Sequence, residues 1–90
     1  MITITIDCRH IESEAAFWEH YLRVSKADGA RYFGRNLDAF RDALDGGPGW
    51  PGECELHFTN TELLLAISGG TFLQVLRKIA AESTIVKIRL

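Results

Sequence analysis

Three segments of this chain alternate apolar and polar residues with a period of two. Such alternation is typical of β-strands with one buried face and one face in water. The stretches between the segments have helical periodicity and are long enough for crossover connections, so the strands are predicted to be parallel. The apolar positions are Ile2, Ile4 and Ile6 in the first segment, Cys54, Leu56 and Phe58 in the second, and Val86, Ile88 and Leu90 in the third.

The alternation also predicts where the helices lie. Parallel strands that are covered on both faces read as continuous apolar runs, and these segments do not. One face of the sheet must therefore meet water, which places every helix on the other face. Right-handed crossovers allow this only if the chain winds steadily in one direction. The predicted fold is α/β in two layers, with a three-stranded parallel sheet in the order 1-2-3.

The first crossover is predicted to contain two helices. The first helix begins at Ser13, and the second follows Asn36, an N-cap residue whose side-chain oxygen can accept a hydrogen bond from the first turn. The glycines at 46 and 47 suit the left-handed position that ends a helix. Core-facing stripes are predicted at Phe17, Trp18, Tyr21 and Leu22, and at Leu37, Phe40, Ala43 and Leu44.

The second crossover is predicted to contain two more helices. A short one begins at Thr59 or Asn60 and runs through Ile67, and Gly69 and Gly70 then break it. A capping box of Thr71 and Gln74 is expected to start the last helix. Its core stripe is Phe72, Val75, Leu76, Ile79 and Ala80, and its outer face carries Arg77, Lys78 and Glu82.

Length and composition favour one globular domain spanning residues 1–90. The 90 residues are 47% apolar and 24% charged, with a net charge of −2 and no basic stripe, so direct nucleic-acid binding is not expected. The amino-terminal residues lack the basic and unbroken apolar regions of a secretion signal. The longest strongly apolar run, Leu63 to Ile67, is too short to cross a bilayer. We therefore expect a cytoplasmic protein with no membrane partner.

The sequence favours neither catalysis nor a cofactor. Cys8 and Cys54 are expected to be buried or free thiols, because two cysteines make no disulfide framework. No glycine-rich phosphate loop or metal-ligand spacing is present, although the fold could still bring Cys8, His10 and His57 together. No catalytic residue, metal or cofactor is predicted. Trp50, in the glycine-rich loop 46–52, could pack over the core edge or remain available to a partner.

The helix after Asn36 is predicted to present Asp38, Asp42 and Asp45 on its outer side. Carboxylates at i and i+4 destabilise an isolated helix by roughly a few tenths of a kcal/mol, and the helix dipole favours only Asp38. An exposed pair stays ionised, which favours presenting charge over transferring protons. Arginine donates the same paired hydrogen bonds to carboxylates as to phosphates, so the helix suits a cationic phosphate-binding cleft. Alternatively, Arg35 and Arg41 could neutralise this surface.

The residues from Tyr32 to Leu44 carry a family resemblance. They read Tyr-Phe-Gly-Arg-Asn-Leu-Asp-Ala-Phe-Arg-Asp-Ala-Leu. This resembles the Tyr-Tyr/Phe-Gly-x-Asn-Leu-Asp-Ala-x-x-Asp pattern of the barstar family, the intracellular inhibitors of barnase-type ribonucleases. Weaker similarity in residues 73–77 and the predicted order of strands and helices extend the resemblance along the chain. It implies a basic ribonuclease of extracellular type as partner, held inactive before export, and a barstar-like sheet.

The resemblance also implies which residues bind. Tyr32, Asn36, Asp38 and Asp42 fall on positions that enter the ribonuclease cleft, with Asp42 on the carboxylate that resembles substrate phosphate. The full predicted partner-binding set is Tyr32, Gly34, Asn36, Asp38, Arg41, Asp42, Gly46, Val75 and Lys78.

The chain departs from the family at three of its contact positions. Arg41 and Gly47 replace aromatic residues, and Lys78 replaces a glutamate. These departures leave a second hypothesis, in which a diverged module of the same fold binds a partner that is not a ribonuclease.

Overall fold

The computed structural model describes residues 2–90, which form three parallel strands and three α-helices. The strands are β1 (Ile2–Asp7), β2 (Cys54–Thr59) and β3 (Lys87–Arg89), and the helices are α1 (Glu14–Ser25), α2 (Leu37–Ala43) and α3 (Thr71–Glu82). Two 3₁₀ segments, Ala30–Tyr32 and Thr61–Gly70, lie within the crossovers.

The sheet has the strand order β1-β2-β3, and both strand pairs are parallel. β1 pairs with β2 from Ile2 opposite Cys54 to Asp7 opposite Thr59. Thr3, Thr5, Lys87 and Arg89 are exposed on one face, whereas Leu56 and Phe58 are buried beneath the helices on the other. The predicted α/β fold and strand order are confirmed.

The prediction that the apolar strand positions are buried is wrong for Ile2 and Leu90. Ile2 is 70% exposed, although its neighbour Cys54 on the central strand is buried. Ile4 is half-buried, and Ile6 alone in β1 is completely buried. Burial fails at Ile2 because it lies at the amino end of an edge strand. Leu90 is exposed because it lies beyond the end of β3.

Trp18 lies at the centre of an aromatic cluster that joins the three helices. The side chain is 0% exposed, and its indole ring is 5.3 Å from the ring of Phe40 on α2 and 5.9 Å from that of Phe72 on α3. The predicted stripe of Phe17, Trp18, Tyr21 and Leu22 is buried throughout, as expected for a core-facing helix surface.

Two of the predicted helix starts have different outcomes. The helix α1 starts after Ser13 as predicted, and Ser13 is its N-cap, with its hydroxyl accepting a hydrogen bond from the Ala16 amide at 3.1 Å. The capping box at Thr71 is wrong, because Gly70 occupies the N-cap position with φ 93° and Thr71 is already helical. The left-handed residues that reverse the chain at 68–70 place the helix start one residue earlier than the sequence pattern suggested.

The segment before α3 is a 3₁₀ helix, where a short helix through Ile67 was predicted. It follows Asn60, which has φ 56°, and Ile67, Ser68 and Gly69 are not helical.

Residues 61–82 together are long enough for a membrane span, with a mean hydropathy of 1.4 over 18 residues. The break at 67–69 divides them into two pieces that pack on each other, which is not the geometry of one spanning helix.

The loop 46–52 is fastened to the rest of the fold. The Trp50 backbone carbonyl accepts a hydrogen bond from the Asp28 amide at 3.0 Å, and the Tyr21 hydroxyl donates to the Gly49 carbonyl at 2.7 Å. Gly49 has φ +93°, and a Cβ there would lie 2.6 Å from the Phe33 ring. Trp50 is half-buried against the core, which favours the packed alternative.

Both cysteines are buried free thiols, as expected. Cys54 begins β2 opposite Ile2, whereas Cys8 follows the far end of β1. Burial raises the pKa of the Cys8 thiol to about 12, so this group stays protonated at neutral pH.

Candidate functional site

The helix α2 is fixed at its start and along its inner face. The Asn36 side-chain oxygen accepts a hydrogen bond from the Ala39 amide at 2.7 Å, which confirms the predicted N-cap. Phe40, Ala43 and Leu44 are buried beneath the helix. Past its end, Gly46 adopts the left-handed conformation with φ +103°. These contacts hold the outer face of α2 in one orientation.

Asp38 and Asp42 are exposed on α2 as predicted, but the helix ends at Ala43, so Asp45 is exposed in the turn just past it. We call these three residues the acidic ridge. Asp38 and Asp42 are four residues apart on one helix face, so their Cβ atoms lie roughly 5–6 Å apart. Within residues 2–90, no side chain forms an ion pair or a side-chain hydrogen bond with any of the three carboxylates. The ridge therefore presents its charge to solvent.

The two arginines within residues 32–45, Arg35 and Arg41, pair with glutamates outside the ridge. The Arg35 guanidinium donates to Glu19 on α1 at 2.7 Å, and the Arg41 guanidinium donates to Glu82 on α3 at 2.8 Å. The geometry argues against the alternative in which these arginines neutralise the aspartates. The segment contains two arginines and three aspartates, and both arginine charges are compensated elsewhere.

The Arg41–Glu82 ion pair links α2 to α3. The hydrogen bond from Arg41 lowers the pKa of the Glu82 carboxyl, and the same bond raises the pKa of Arg41. The charges of Asp38 and Asp42 raise the pKa of Arg41 further. A shallow cavity of about 150 Å³ lies at this junction, lined by Arg41, Leu44, Asp45, Ile79, Glu82 and Ser83.

The lowered pKa of Glu82 predicts how the free energy of unfolding depends on pH. A carboxyl whose pKa is lowered in the folded state stabilises the fold above its unfolded pKa of about 4.5, and the contribution is lost as the pH falls through the lower folded value. We expect Glu82→Gln to lower the free energy of unfolding at neutral pH, with the difference from wild type vanishing in acid. Urea denaturation between about pH 3 and pH 7 measures this.

Glu62→Gln is the matched control for this prediction. Glu62 is an exposed carboxylate with no ion pair among residues 2–90. Its substitution should change stability little at any pH. A Glu82→Gln difference that persists unchanged into acid would show that the charge of Glu82 does not contribute.

Tyr32 is an exposed aromatic residue in the turn before α2. Tyr32 ends the first 3₁₀ segment, is 73% exposed, and lies with the Arg31 guanidinium carbon 5.6 Å from its ring centroid. A Cβ at Gly34 would lie 3.1 Å from the Cβ of Ala39, so glycine allows the turn to pass close to the first turn of α2. Tyr32, Gly34 and Asn36 thus lie in the segment that leads into the helix.

Val75 and Lys78 lie on α3, which packs against α2. Val75 is half-buried against the core, and Lys78 is exposed. Lys78 and Glu82 are four residues apart on α3, so their side chains are neighbours on the helix surface. The charge of Lys78 contributes to the lowered pKa of Glu82. The predicted set therefore occupies α2, α3, the turn before α2 and, at Gly46, the turn after it.

Sequence reasoning missed the partners of the two arginines. Glu82 is 41 positions from Arg41 and Glu19 is 16 positions from Arg35, and no local pattern relates them. The close approach at Gly47 was also missed, since a Cβ there would lie 3.1 Å from the Asp42 carbonyl oxygen. A larger residue at Gly47 would press on the backbone that carries Asp42.

The histidines and cysteines do not come together. Residues 2–90 contain no group of three histidine, cysteine, aspartate or glutamate side chains that could hold a metal ion. Cys8 is buried, whereas His57 lies on the water-facing side of the sheet beside Glu55, with the two side chains 3.1 Å apart.

The chain matches a protein-family model along nearly its whole length. The model is described as Barstar (barnase inhibitor), and it covers residues 1–88. The chain belongs to the barstar family. A search of curated proteins finds no match. The family description indicates an inhibitor of a barnase-type ribonuclease, so barstar membership favours a protein-binding role over an enzymatic one.

Proposed function

We propose that this protein inhibits a basic ribonuclease in the cytoplasm by placing the acidic ridge in the cationic active-site cleft. Asp42 and Asp38 then occupy positions that phosphate groups of the substrate would take. The observation that carries this proposal is that the carboxylates of the ridge are exposed and form no ion pair within the part of the chain that the structure describes. Asp38 and Asp42 are exposed on a capped helix, Asp45 is exposed just past its end, and none of the three is paired with another side chain of residues 2–90.

Rigid presentation favours tight binding. Association is weakened by the entropy lost when flexible groups become ordered, and a helix anchored by Phe40 and capped by Asn36 loses little. Arginine side chains of a phosphate-binding cleft can donate paired hydrogen bonds to each carboxylate. The unpaired charges also attract a basic enzyme at long range and speed its encounter with the ridge.

The ion pair of Arg41 supports the ribonuclease hypothesis over the diverged alternative. Because Arg41 is bonded to Glu82, its positive charge is compensated before any partner arrives. The exposed charge of Lys78 favours the alternative, in which the same fold binds another kind of protein. A double change, Arg41→Trp with Lys78→Glu, restores the family pattern at both positions and separates the two hypotheses.

The direct test is inhibition of RNA cleavage. Increasing amounts of the protein are added to purified barnase-type ribonucleases, and the cleavage rate of a short RNA is measured. We expect activity to fall to zero near one inhibitor per enzyme. Undiminished cleavage by every enzyme, with inhibition gained only in the Arg41→Trp, Lys78→Glu variant, would contradict the proposal and support the diverged module.

A further inference from the structure

The outer edge of β1 is a long strand edge without protection. β1 has six residues and pairs only with β2, which leaves one side of it unpaired. Proteins usually protect such edges with charges, proline or very short strands. The other edge strand, β3, has three residues, and two of them are Lys87 and Arg89. Residues 2–6 of β1 contain no charge and no proline.

The hydrogen-bond pattern shows which backbone groups face outward. The Cys8 amide donates to the Thr59 carbonyl on the β2 side, at 2.8 Å. Successive residues of a strand point their backbone groups to opposite sides, so Ile4 and Ile6 also face β2. Thr3 and Thr5 therefore direct their N–H and C=O groups to the outer edge. Within residues 2–90, no group outside the sheet bonds to the backbone of either threonine.

This edge is complementary to a second copy of itself. A two-fold axis at Ile4 would place Thr3 of one chain opposite Thr5 of the other in an antiparallel pair. Both threonines have outward backbone groups, so the two Thr3–Thr5 pairs would form four hydrogen bonds. The two Ile4 side chains would meet at the axis, and Ile2 would lie opposite Ile6.

The exposed isoleucines point to the same pairing. Ile2 is 70% exposed and Ile4 is half-buried, although both share a sheet face with the buried Ile6. In the pair, Ile4 and Ile6 of the second chain would lie beside Ile4 and Ile2 on this face and contact the apolar surface that the helices of one chain leave in water. We propose that the protein forms a symmetric dimer through antiparallel pairing of β1 with β1, which joins two sheets into one of six strands.

Charges at Thr3 and Thr5 test both the interface and its register. Both side chains are exposed on the water-facing side of the sheet, so they tolerate substitution. In Thr3→Lys with Thr5→Lys, each cross-strand pair joins two like charges, and we expect dimerisation to be lost. In Thr3→Lys with Thr5→Glu, each pair joins opposite charges, and we expect the dimer to persist.

Sedimentation equilibrium to about 1 mM protein measures the association, since this concentration populates even a weak dimer. We expect wild type and the Lys/Glu variant to approach twice the 10.1 kDa chain mass, and the Lys/Lys variant to stay at 10.1 kDa. Matching thermal unfolding midpoints would show that both variants fold. A monomeric wild type, a dimeric Lys/Lys variant, or a monomeric Lys/Glu variant beside a dimeric wild type would each overturn the proposal.

Amide hydrogen exchange in the wild type provides a second test without substitution. The amides of Thr3 and Thr5 should exchange more slowly as the protein concentration rises, because they are bonded only in the dimer. The Ile4 amide faces β2 and should be protected at every concentration. Exchange of Thr3 and Thr5 that does not depend on concentration would also overturn the proposal.

Discussion

Replacing Asp42 by alanine is expected to weaken binding to a barnase-type ribonuclease by at least about 30-fold, or about 2 kcal/mol. This is the general size of an interface hot spot, for which barstar and barnase are themselves a reference case. The physical reason is the partner's cleft, since removing the carboxylate leaves cationic groups there buried without a counter-charge. Titration calorimetry, or inhibition of RNA cleavage, measures the loss.

The stability of the Asp42→Ala variant should change little or rise slightly. Asp42 has no side-chain partner within residues 2–90, so folding loses no ion pair. Its removal also relieves the repulsion from Asp38, worth roughly a few tenths of a kcal/mol in a helix. A large loss of binding with unchanged unfolding would therefore place the effect in the complex and not in the fold.

Asp45→Ala is the matched control for this prediction. It removes the same charge from the same exposed ridge, three residues further along and past the end of α2. If only overall charge mattered, both variants would weaken binding equally, and both effects would shrink as salt screens the charges. Equal losses in the two variants, or undiminished binding of Asp42→Ala, would remove Asp42 from the mechanism.

The sequence predicted the topology of the sheet correctly, because the pattern of strands and crossovers is compatible with one arrangement. Alternating strands joined by helical crossovers allow only a parallel sheet with helices on one face, and the structure has this arrangement. The pattern failed at Ile2, because alternation shows which face a side chain points to and not how far the helices extend over it. It failed again at Thr71, because the left-handed turn at 68–70 depends on how the chain reverses.

The candidate site was predictable in its local parts. The cap of Asn36 and the outward position of Asp38 and Asp42 follow from helical periodicity. The charge state of the surface did not follow, because it depends on the Arg41–Glu82 and Arg35–Glu19 pairs. These pairs join residues that only the tertiary structure brings together. Whether other residues of the chain neutralise a charged helix therefore depends on its tertiary structure.

The ridge depends on the core beneath it. Phe40 holds α2 in place through its ring contact with Trp18, at 5.3 Å between centroids, and with Tyr21, at 5.2 Å. Loss of that contact would free α2 to move relative to α1. A mobile helix would have to become ordered on binding, which weakens affinity. Core packing at Phe40 therefore contributes to the affinity of the acidic ridge, although Phe40 is not part of the ridge.

Trp18→Ala is accordingly expected to cost about 3–5 kcal/mol of folding free energy, the usual range for a buried tryptophan. Trp18 is 0% exposed and contacts rings from both other helices. Its indole N–H also donates to Glu14 at 3.1 Å. A domain of this size has a total stability of about 5–15 kcal/mol, so the variant should be close to unfolding at physiological temperature. Urea denaturation followed by far-ultraviolet circular dichroism measures the loss.

The second tryptophan of the chain provides the control. Trp50 is half-buried in a loop held by backbone hydrogen bonds, so Trp50→Ala removes a similar side chain with fewer buried contacts. We expect it to cost clearly less than Trp18→Ala. Trp18→Phe keeps a ring in the cluster and should retain much of the stability. If the two alanine variants lost equal stability, the core would not be centred on Trp18, and the rigidity of α2 would need another origin.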